Sequence, residues 1–316
     1  MRIFAAVIAA LVAVAAHAQT VFPTKPVRIV VPYAPGGGTD IISRQIAQKL
    51  GEAWGQNVFV ENRPGANGIT GTDLVLKSAP DGHSLVVVVA AHVINSSLQT
   101  KMPYDPVTDV APVTLIARSP WVIVSIPTLP AKTLGEFVAY AKANPGKLRF
   151  GSSEPSSRLA GEQFKQLAGI NLEHIPYKGG SQIMTDMLGG QIETGFTSTL
   201  TVLQHYKSGK LKVLAVAGKA RHASMADVPT AIEAGYPEYE TYAWYGMYAP
   251  KGTPKEIVAR IQQEIARVVK RPDTEERLGQ FGAEPIASTP EDFAAFTKAE
   301  SEKFARLIKA AGIQPE

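Results

Sequence analysis

The stretch Val27-Arg28-Ile29-Val30-Val31-Pro32-Tyr33-Ala34-Pro35-Gly36-Gly37-Gly38-Thr39-Asp40 decides the fold class. Its first five residues are rich in β-branched side chains and read as a buried strand. Three consecutive glycines then let the backbone turn tightly and approach a ligand closely. Beyond them Ile42, Ile46 and Leu50 recur at i, i+4 and i+8, which predicts a helix from about Ile41 to Leu50, with Thr39 as N-cap and Gly51 as stop. Strand, glycine turn and helix open a βαβ unit. It continues through a strand at Asn57–Glu61, a loop Arg63-Pro64-Gly65-Ala66-Asn67-Gly68, a helix to about Ser78 and a strand at Ser84–Ala91. A βαβαβ order implies a parallel sheet with right-handed crossovers.

A second alternating series follows. Strands are expected at Trp121–Ile126, Leu148–Gly151, Leu172–Pro176, Glu193–Phe196 and Leu211–Ala217. Thr133-Leu134-Gly135-Glu136 reads as a capping box opening a helix to Ala143, and further helices are expected near Leu159–Ala168 and Ser181–Leu188. Tyr242–Tyr248 is one more strand. Two C-terminal helices are expected, one from a second capping box at Thr253-Pro254-Lys255-Glu256 and one near Pro290. Two α/β series without a low-complexity linker predict two lobes joined by strands, with a ligand cleft at the carboxyl ends of the parallel strands. Residues 19–118 and 226–316 are assigned to the first lobe and 119–225 to the second.

At the N-terminus, Met1-Arg2, the apolar run Ile3–Ala16 and the small-x-small pattern Ala16-His17-Ala18 read as a signal peptide over residues 1–18, cut before Gln19. The run is shorter than the roughly 20 residues that span a bilayer. Export to a bacterial periplasm is therefore expected. The 316 residues are 45% hydrophobic and 19% charged, a globular composition, and the net charge of +4 is spread without a basic block, which argues against nucleic acid as a partner. The absence of cysteine excludes disulfides, thiolate metal sites and a cysteine nucleophile. His83, His92, His174, His205 and His222 show no metal-ligand spacing, and no Gly-x-Ser-x-Gly or His-Glu-x-x-His is present, so neither a catalytic set nor a metal nor any cofactor is expected.

The anion-binding signals lie in the turns. Pro32–Asp40 lacks both the last glycine of a dinucleotide fingerprint, where Ile41 stands, and the Lys-Ser/Thr ending of a P-loop, and it reads as a carboxylate site at a helix N-terminus. Phe150-Gly151-Ser152-Ser153-Glu154-Pro155-Ser156-Ser157-Arg158 brings four hydroxyls and an arginine to a second such turn, although an ordinary serine-rich loop fits it equally well. Pro176-Tyr177-Lys178-Gly179-Gly180 and Phe196-Thr197-Ser198 are the third and fourth. Ala91 and His92, just after a strand of the first lobe, are kept as candidates beside them. Trp244 and Tyr245 sit on an apolar strand, where core packing is the default and lining the cleft the minority reading.

Taken together, Lys25–Pro32, Pro35–Asp40, Val60-Glu61-Asn62-Arg63-Pro64-Gly65-Ala66, Ala79-Pro80-Asp81-Gly82, Pro103-Tyr104-Asp105-Pro106, Leu159-Ala160-Gly161-Glu162, Pro176–Gly179, Asp227-Val228-Pro229-Thr230 and Ala249–Pro254 resemble the Bug family of extracytoplasmic solute receptors of tripartite tricarboxylate transporters. The likeness runs in order through essentially the whole mature chain. It implies a type II periplasmic binding protein, two α/β lobes joined by two crossover strands and closing over a small carboxylate. By the resemblance, Tyr33, Ala34, Gly37, Gly38, Thr39 and Asp40 would hold one carboxylate, and Ser152, Ser153, Tyr177, Gly179, Thr197 and Ser198 would meet the far end of the ligand. It further implies a monomer whose partners are two membrane subunits of a tripartite tricarboxylate transporter, or in some relatives a sensor kinase. Two departures stand out: Arg158 stands where His or Thr is usual, and Thr197 where aspartate is common. Both make the distal pocket more positive, which predicts a dicarboxylate paired with Arg158, aromatic if Trp244 or Tyr245 faces the cleft. An exported hydrolase is the rival reading, and it would need a base beside Ser152 that the sequence does not reveal.

Overall fold

The computed structural model describes residues 22–152, 154–177, 180–280 and 282–315. The signal peptide predicted at residues 1–18 lies outside them, as do Ser153 and Gly179. The chain opens β1 (Val27–Val31), α1 (Gly38–Trp54), β2 (Val58–Asn62), α2 (Ile69–Leu76), β3 (Ser84–Val88) and α3 (Ala91–Leu98). β1 lies between β2 and β3 and runs parallel to both, as the βαβαβ order requires. The second series is α4 (Leu134–Ala143), β5 (Arg149–Ser152), α5 (Pro155–Ala168), β6 (Glu173–Pro176), α6 (Gly180–Leu188), β7 (Thr194–Ser198), α7 (Thr199–Lys207) and β8 (Lys212–Val216). Here β5 is the central strand, parallel to β6 and β7.

Two strands join these halves. The strand that precedes α4, β4 (Val110–Ser125), pairs antiparallel with β9 (Tyr242–Pro250) up to Pro120 and with β7 from Trp121 onward. β8 pairs with the same end of β4. The chain returns at Thr241, whose carbonyl accepts from the Trp121 N–H at 3.2 Å while its own N–H donates to Ala217. β9 then runs between β3 and β4. The C-terminal elements α8 (Lys255–Val269), α9 (Pro272–Gln280), β10 (Glu284–Pro285) and α10 (Pro290–Ala310) return to the first half.

Period-2 alternation gives each half a core on both faces of its sheet. In the first, Ile29, Val87 and Met247 pack on one side and Val30, Val88, Trp244 and Tyr248 on the other. In the second, Ile123, Phe150 and Phe196 oppose Val122, Val124 and Ile183. Ala231 and Tyr239, in the segment that leads back to β9, pack with the second core. Leu159 of α5 crosses over, buried in the first half with Ile94, Trp244 and Phe293, and Ala243 of β9 packs in the second. No described helix is long and apolar enough to cross a membrane.

Several local expectations need correction. α1 continues through Gly51 to Trp54 and is stopped by Gly55, whose φ of 63° suits a residue without a Cβ. Gly51 serves a close approach instead: a Cβ there would stand 3.3 Å from the Gln56 carbonyl. The N-cap of α1 is Gly37, and Thr39 lies inside the helix. β4 extends eleven residues N-terminal of the expected Trp121, a stretch that Pro112 and Pro120 concealed. The capping box at Thr253 does not form, because the Thr253 hydroxyl donates to the Pro250 carbonyl at 2.7 Å. Three helices follow β9 where two were expected; the short, polar α9 buries only Thr274 and Leu278.

Candidate functional site

A cleft of about 230 Å³ lies where the halves meet. Asn67, Leu98, Gln99, Ile313 and Gln314 line it from the first lobe, and Ser152, Glu154, Arg158, Leu159, His174 and Tyr177 from the second. The second wall is built by register. Parallel pairing sets Phe150 opposite His174 and Ser152 opposite Pro176, so Ser152 and His174 fall on one face, and Ser152 Oγ lies 2.7 Å from His174 Nε2. β5 then breaks into α5 through Glu154 and Pro155, and proline at the first helical position loses no hydrogen bond. The Ser157 hydroxyl locks this turn, accepting from the Glu154 N–H at 3.2 Å and donating to the Glu154 carbonyl at 2.9 Å. Arg158 follows one turn later.

The charges along this wall are unusual. Arg158 Nε is buried and has no hydrogen-bond partner among the described residues. Burial, then the positive charges of Arg158 and Lys165, push His174 down to about 4. The imidazole is therefore neutral at physiological pH and too weak a base to activate Ser152. No carboxylate among the described residues orients it, so this pair fixes a hydroxyl without forming a catalytic dyad. Burial pushes Glu154 up to about 7, against the hydroxyl of Ser156, which favours its ionised form.

The glycine turn of the first lobe reaches the same region through two tyrosines. A Cβ on Gly38 would stand 2.7 Å from the Tyr245 hydroxyl oxygen, and one on Gly68 would stand 2.8 Å from that of Tyr33, so both glycines are required by a phenol against the backbone. Burial raises both phenols far above their ordinary range, and the Glu154 carboxyl raises them further, which puts lobe 1 phenols and a lobe 2 acid within electrostatic reach. The Tyr33 hydroxyl accepts from the Val89 N–H at 3.5 Å. Ala34 and Gly37 are exposed on the turn and Thr39 is buried at the start of α1.

Asp40 holds the turn in shape. Its carboxylate accepts from the Gly36 N–H at 3.0 Å, Arg44 Nε at 3.0 Å and Asn62 Nδ2 at 2.9 Å. Burial opposes ionisation here, but Arg44, Gly36 and Asn62 outweigh it and keep the carboxyl below its usual range. His92 is directed elsewhere: its ring is 2% exposed, packed against Tyr104 and Tyr248, with Nε2 2.9 Å from the Pro106 carbonyl. Ala91 is buried in the first core. The Tyr177 hydroxyl donates to Asp186 at 2.7 Å, leaving its ring to the cleft. Thr197 is buried on β7 opposite Val122, and Ser198 Oγ lies 3.0 Å from Thr201 Oγ1. Trp244 is core, donating to Glu300 at 3.2 Å.

The structure thus brings Ser152, Arg158 and Tyr177 onto one wall, with Asn67, Leu98 and Gln99 opposite, while the predicted first-lobe residues from Tyr33 to Asp40 are not among those that line this cleft. Sequence reasoning missed Glu154, His174 and Asn67. Only Asn67 carried a usable signal, an Asn-Gly pair in a glycine loop, and it adopts φ 51°.

Comparison with known proteins agrees with this architecture. The family model for the tripartite tricarboxylate transporter family receptor matches residues 42–313. The chain is 33% identical over 295 residues to protein BugT of Bordetella pertussis, covering 92% of this chain and 90% of that protein. Among solved structures, R. palustris Rpa4515 with adipate superposes with a TM-score of 0.84 at 32% identity, covering 93% of this chain and 100% of the other. MatC from Rhodopseudomonas palustris with bound malate does so with a TM-score of 0.78 at 29% identity, over 91% and 100%. The two crossover strands, the cleft between two α/β lobes and a match over most of the chain lead to one conclusion: the protein belongs to the tripartite tricarboxylate transporter receptor family.

Proposed function

We propose that the protein is an exported periplasmic receptor that captures a small dicarboxylate between its lobes and delivers it to the membrane subunits of a tripartite tricarboxylate transporter. The observation that carries this reading is Arg158, with a buried, unpartnered Nε on the wall of the cleft. A buried donor nitrogen left without a hydrogen-bond partner is costly, and a ligand carboxylate offsets that cost with strong, geometrically matched bonds to the guanidinium. The volume supports a ligand of few carbons, since sites for drug-sized molecules start at roughly 300 Å³. A second carboxylate fits the turn at Tyr33, Ala34, Gly37, Gly38 and Thr39, where free helix N–H groups favour an anion. Ser152, Ser153, Tyr177, Gly179, Thr197 and Ser198 complete the proposed ligand set, Asp40 holds the turn, and Ala91 and His92 leave it. The adipate and malate of the relatives are both dicarboxylates; an aromatic one would have the Tyr177 ring to pack against.

Closure would be a hinge motion at β4 and β9. As moving units we take the lobes to divide at 118/119 and, on the return, near 241/242 in place of 225/226, because Ala231 and Tyr239 pack with the second core. A thermal-shift screen against acetate, glutamate, malate, succinate and adipate tests the reading. A dicarboxylate at a hundredfold excess over its Kd should add about 2.7 kcal/mol of stability, and Arg158→Ala should abolish most of the shift. Equal binding by Arg158→Ala, or equal shifts with acetate, would refute it.

A further inference from the structure

Ser152 closes β5 and is 4% exposed, and its hydroxyl oxygen lies 2.7 Å from Nε2 of His174. The fold fixes this pair from several sides. β5 and β6 run parallel with Ser152 opposite Pro176, the Tyr177 N–H donates to the Ser152 carbonyl at 2.8 Å, and the His174 ring packs on Phe150 with centroids 5.0 Å apart. Both residues line the cleft on the same wall as Arg158. A hydroxyl has one proton and two lone pairs, so the bond to His174 decides what Ser152 can offer a ligand. If Ser152 donates to a bare Nε2, it turns only lone pairs to the cleft and repels a carboxylate. If Nε2 carries the proton and donates to Ser152, the hydroxyl proton is free to point at an anion. Burial and the positive charges of Arg158 and Lys165 keep His174 neutral at physiological pH, so one ring nitrogen carries a proton and the other does not.

We infer that His174 is a positioning residue that donates from Nε2 to Ser152, so that Ser152 in turn donates its hydroxyl proton to the ligand carboxylate held by Arg158. This rests on the dicarboxylate reading above. A carboxylate has two oxygens, and a guanidinium and a hydroxyl on one wall can serve both. The chain of donors runs one way. Arg158 has no lone pair to offer, and a protonated Nε2 leaves the Ser152 proton to be claimed from the cleft. A histidine too weak as a base to activate Ser152 is still a good hydrogen-bond donor to it. The polarity also selects the ligand: a carboxylate completes the chain, whereas an ammonium or amide N–H at this end would set donor against donor.

Nitrogen-15 spectra of histidine-labelled protein saturated with succinate, malate or adipate at neutral pH read the two ring nitrogens of His174 directly, the His174→Gln spectrum serving to assign them. The expected result is a protonated Nε2 and a bare Nδ1. A bare Nε2 in the ligand-bound protein would overturn the inference, and so would an imidazolium, which would make His174 a second cation for the ligand. Calorimetric titration with the same three acids tests the coupling. Ser152→Ala and His174→Phe, the latter keeping a ring against Phe150, should each weaken binding by roughly tenfold to a hundredfold, and the double variant should bind no worse than the weaker single one. His174→Gln, whose amide nitrogen can stand near the place of Nε2, should recover most of the His174→Phe loss. Full additivity, or a His174→Phe protein with a lower urea midpoint and an unchanged Kd, would reduce His174 to packing and overturn the inference while leaving the dicarboxylate receptor intact. No binding of any of the three acids by the wild type would overturn both readings. The wild-type spectrum does not depend on any variant folding.

Discussion

Replacing Leu159 by alanine separates lobe closure from lobe stability. Leu159 belongs by sequence to α5 of the second lobe, yet it is 2% exposed in the core of the first, against Ile94, Trp244 and Phe293. It also adjoins Arg158 and lines the cleft. Truncation removes three carbon atoms from an apolar site, worth about 2.4 kcal/mol at ~0.8 kcal/mol per buried methylene. In an ordinary core a cavity cost would be added, to a total of about 2–5 kcal/mol. With the proposed hinge at β4 and β9 the lobes would part and let the cavity vanish, so the transfer term should appear in the open–closed equilibrium. A shift of about 2.4 kcal/mol is roughly fiftyfold. Affinity for the dicarboxylate that gives the largest thermal shift should weaken by up to that factor, the radius of gyration by small-angle scattering should increase without ligand, and the urea midpoint should move little. Ile29→Ala, buried in the other core of the first lobe and away from Leu159, should lower the urea midpoint without opening the cleft. If Leu159→Ala instead loses the full core cost in urea with unchanged scattering and affinity, Leu159 is packing and nothing more.

Three further outcomes are expected. The folded-state pKa of Glu154, about 7, lies above its ordinary 4.5, so rising pH favours the unfolded chain; the stability present below about pH 4.5 should fall by at most about 3 kcal/mol as pH climbs through 7. Urea midpoints at pH 5 and 8 measure this, and Glu154→Gln should remove the slope; an identical slope would show the penalty lies elsewhere. Asp40→Asn should cost about 1–3 kcal/mol at neutral pH by taking the charge from the Gly36, Arg44 and Asn62 contacts. Because the pKa of Asp40 is lowered, that stabilisation exists above pH 3.8 and is lost on acidification below it, so the wild-type and variant melting temperatures should converge in acid. Gly246→Ala would drive a Cβ into the ring of fully buried Phe293, a cost of about 1–3 kcal/mol or more in the denaturant midpoint; a neutral substitution would mean β9 shifts freely.

Much of the frame was legible because burial imposes periodicity. Val27–Val31 and the stripe Ile42, Ile46, Leu50 announce a strand and a helix on physical grounds that any chain must obey. What failed was local chemistry decided by tertiary partners. Gly51 looked like a stop, but the neighbouring Gln56 carbonyl, invisible along the chain, is the reason for glycine there. Prolines 112 and 120 hid half of β4, since their tolerance depends on pairing with β9 some 130 residues later. The site divided in the same way. Arg158 stood out as a base in an odd place, whereas His174 reaches Ser152 only once β5 and β6 pair, and Glu154 joins the same wall where β5 breaks into α5.

The route of β9 also sets an order of assembly. On the division proposed above, the second lobe would be one continuous stretch between Trp121 and Thr241, and nearly all the residues of its core lie within it. The first lobe must wait. β3 lacks its neighbour until Tyr242–Pro250 arrives, and the Thr114 hydroxyl finds its acceptor, the Ser288 carbonyl, 174 residues away. A chain emerging N-terminus first thus carries β3 with an unpaired edge through most of its synthesis, a template for pairing with other chains. Keeping that edge covered until the last quarter of the polypeptide has appeared becomes a requirement on whatever machinery handles the nascent protein.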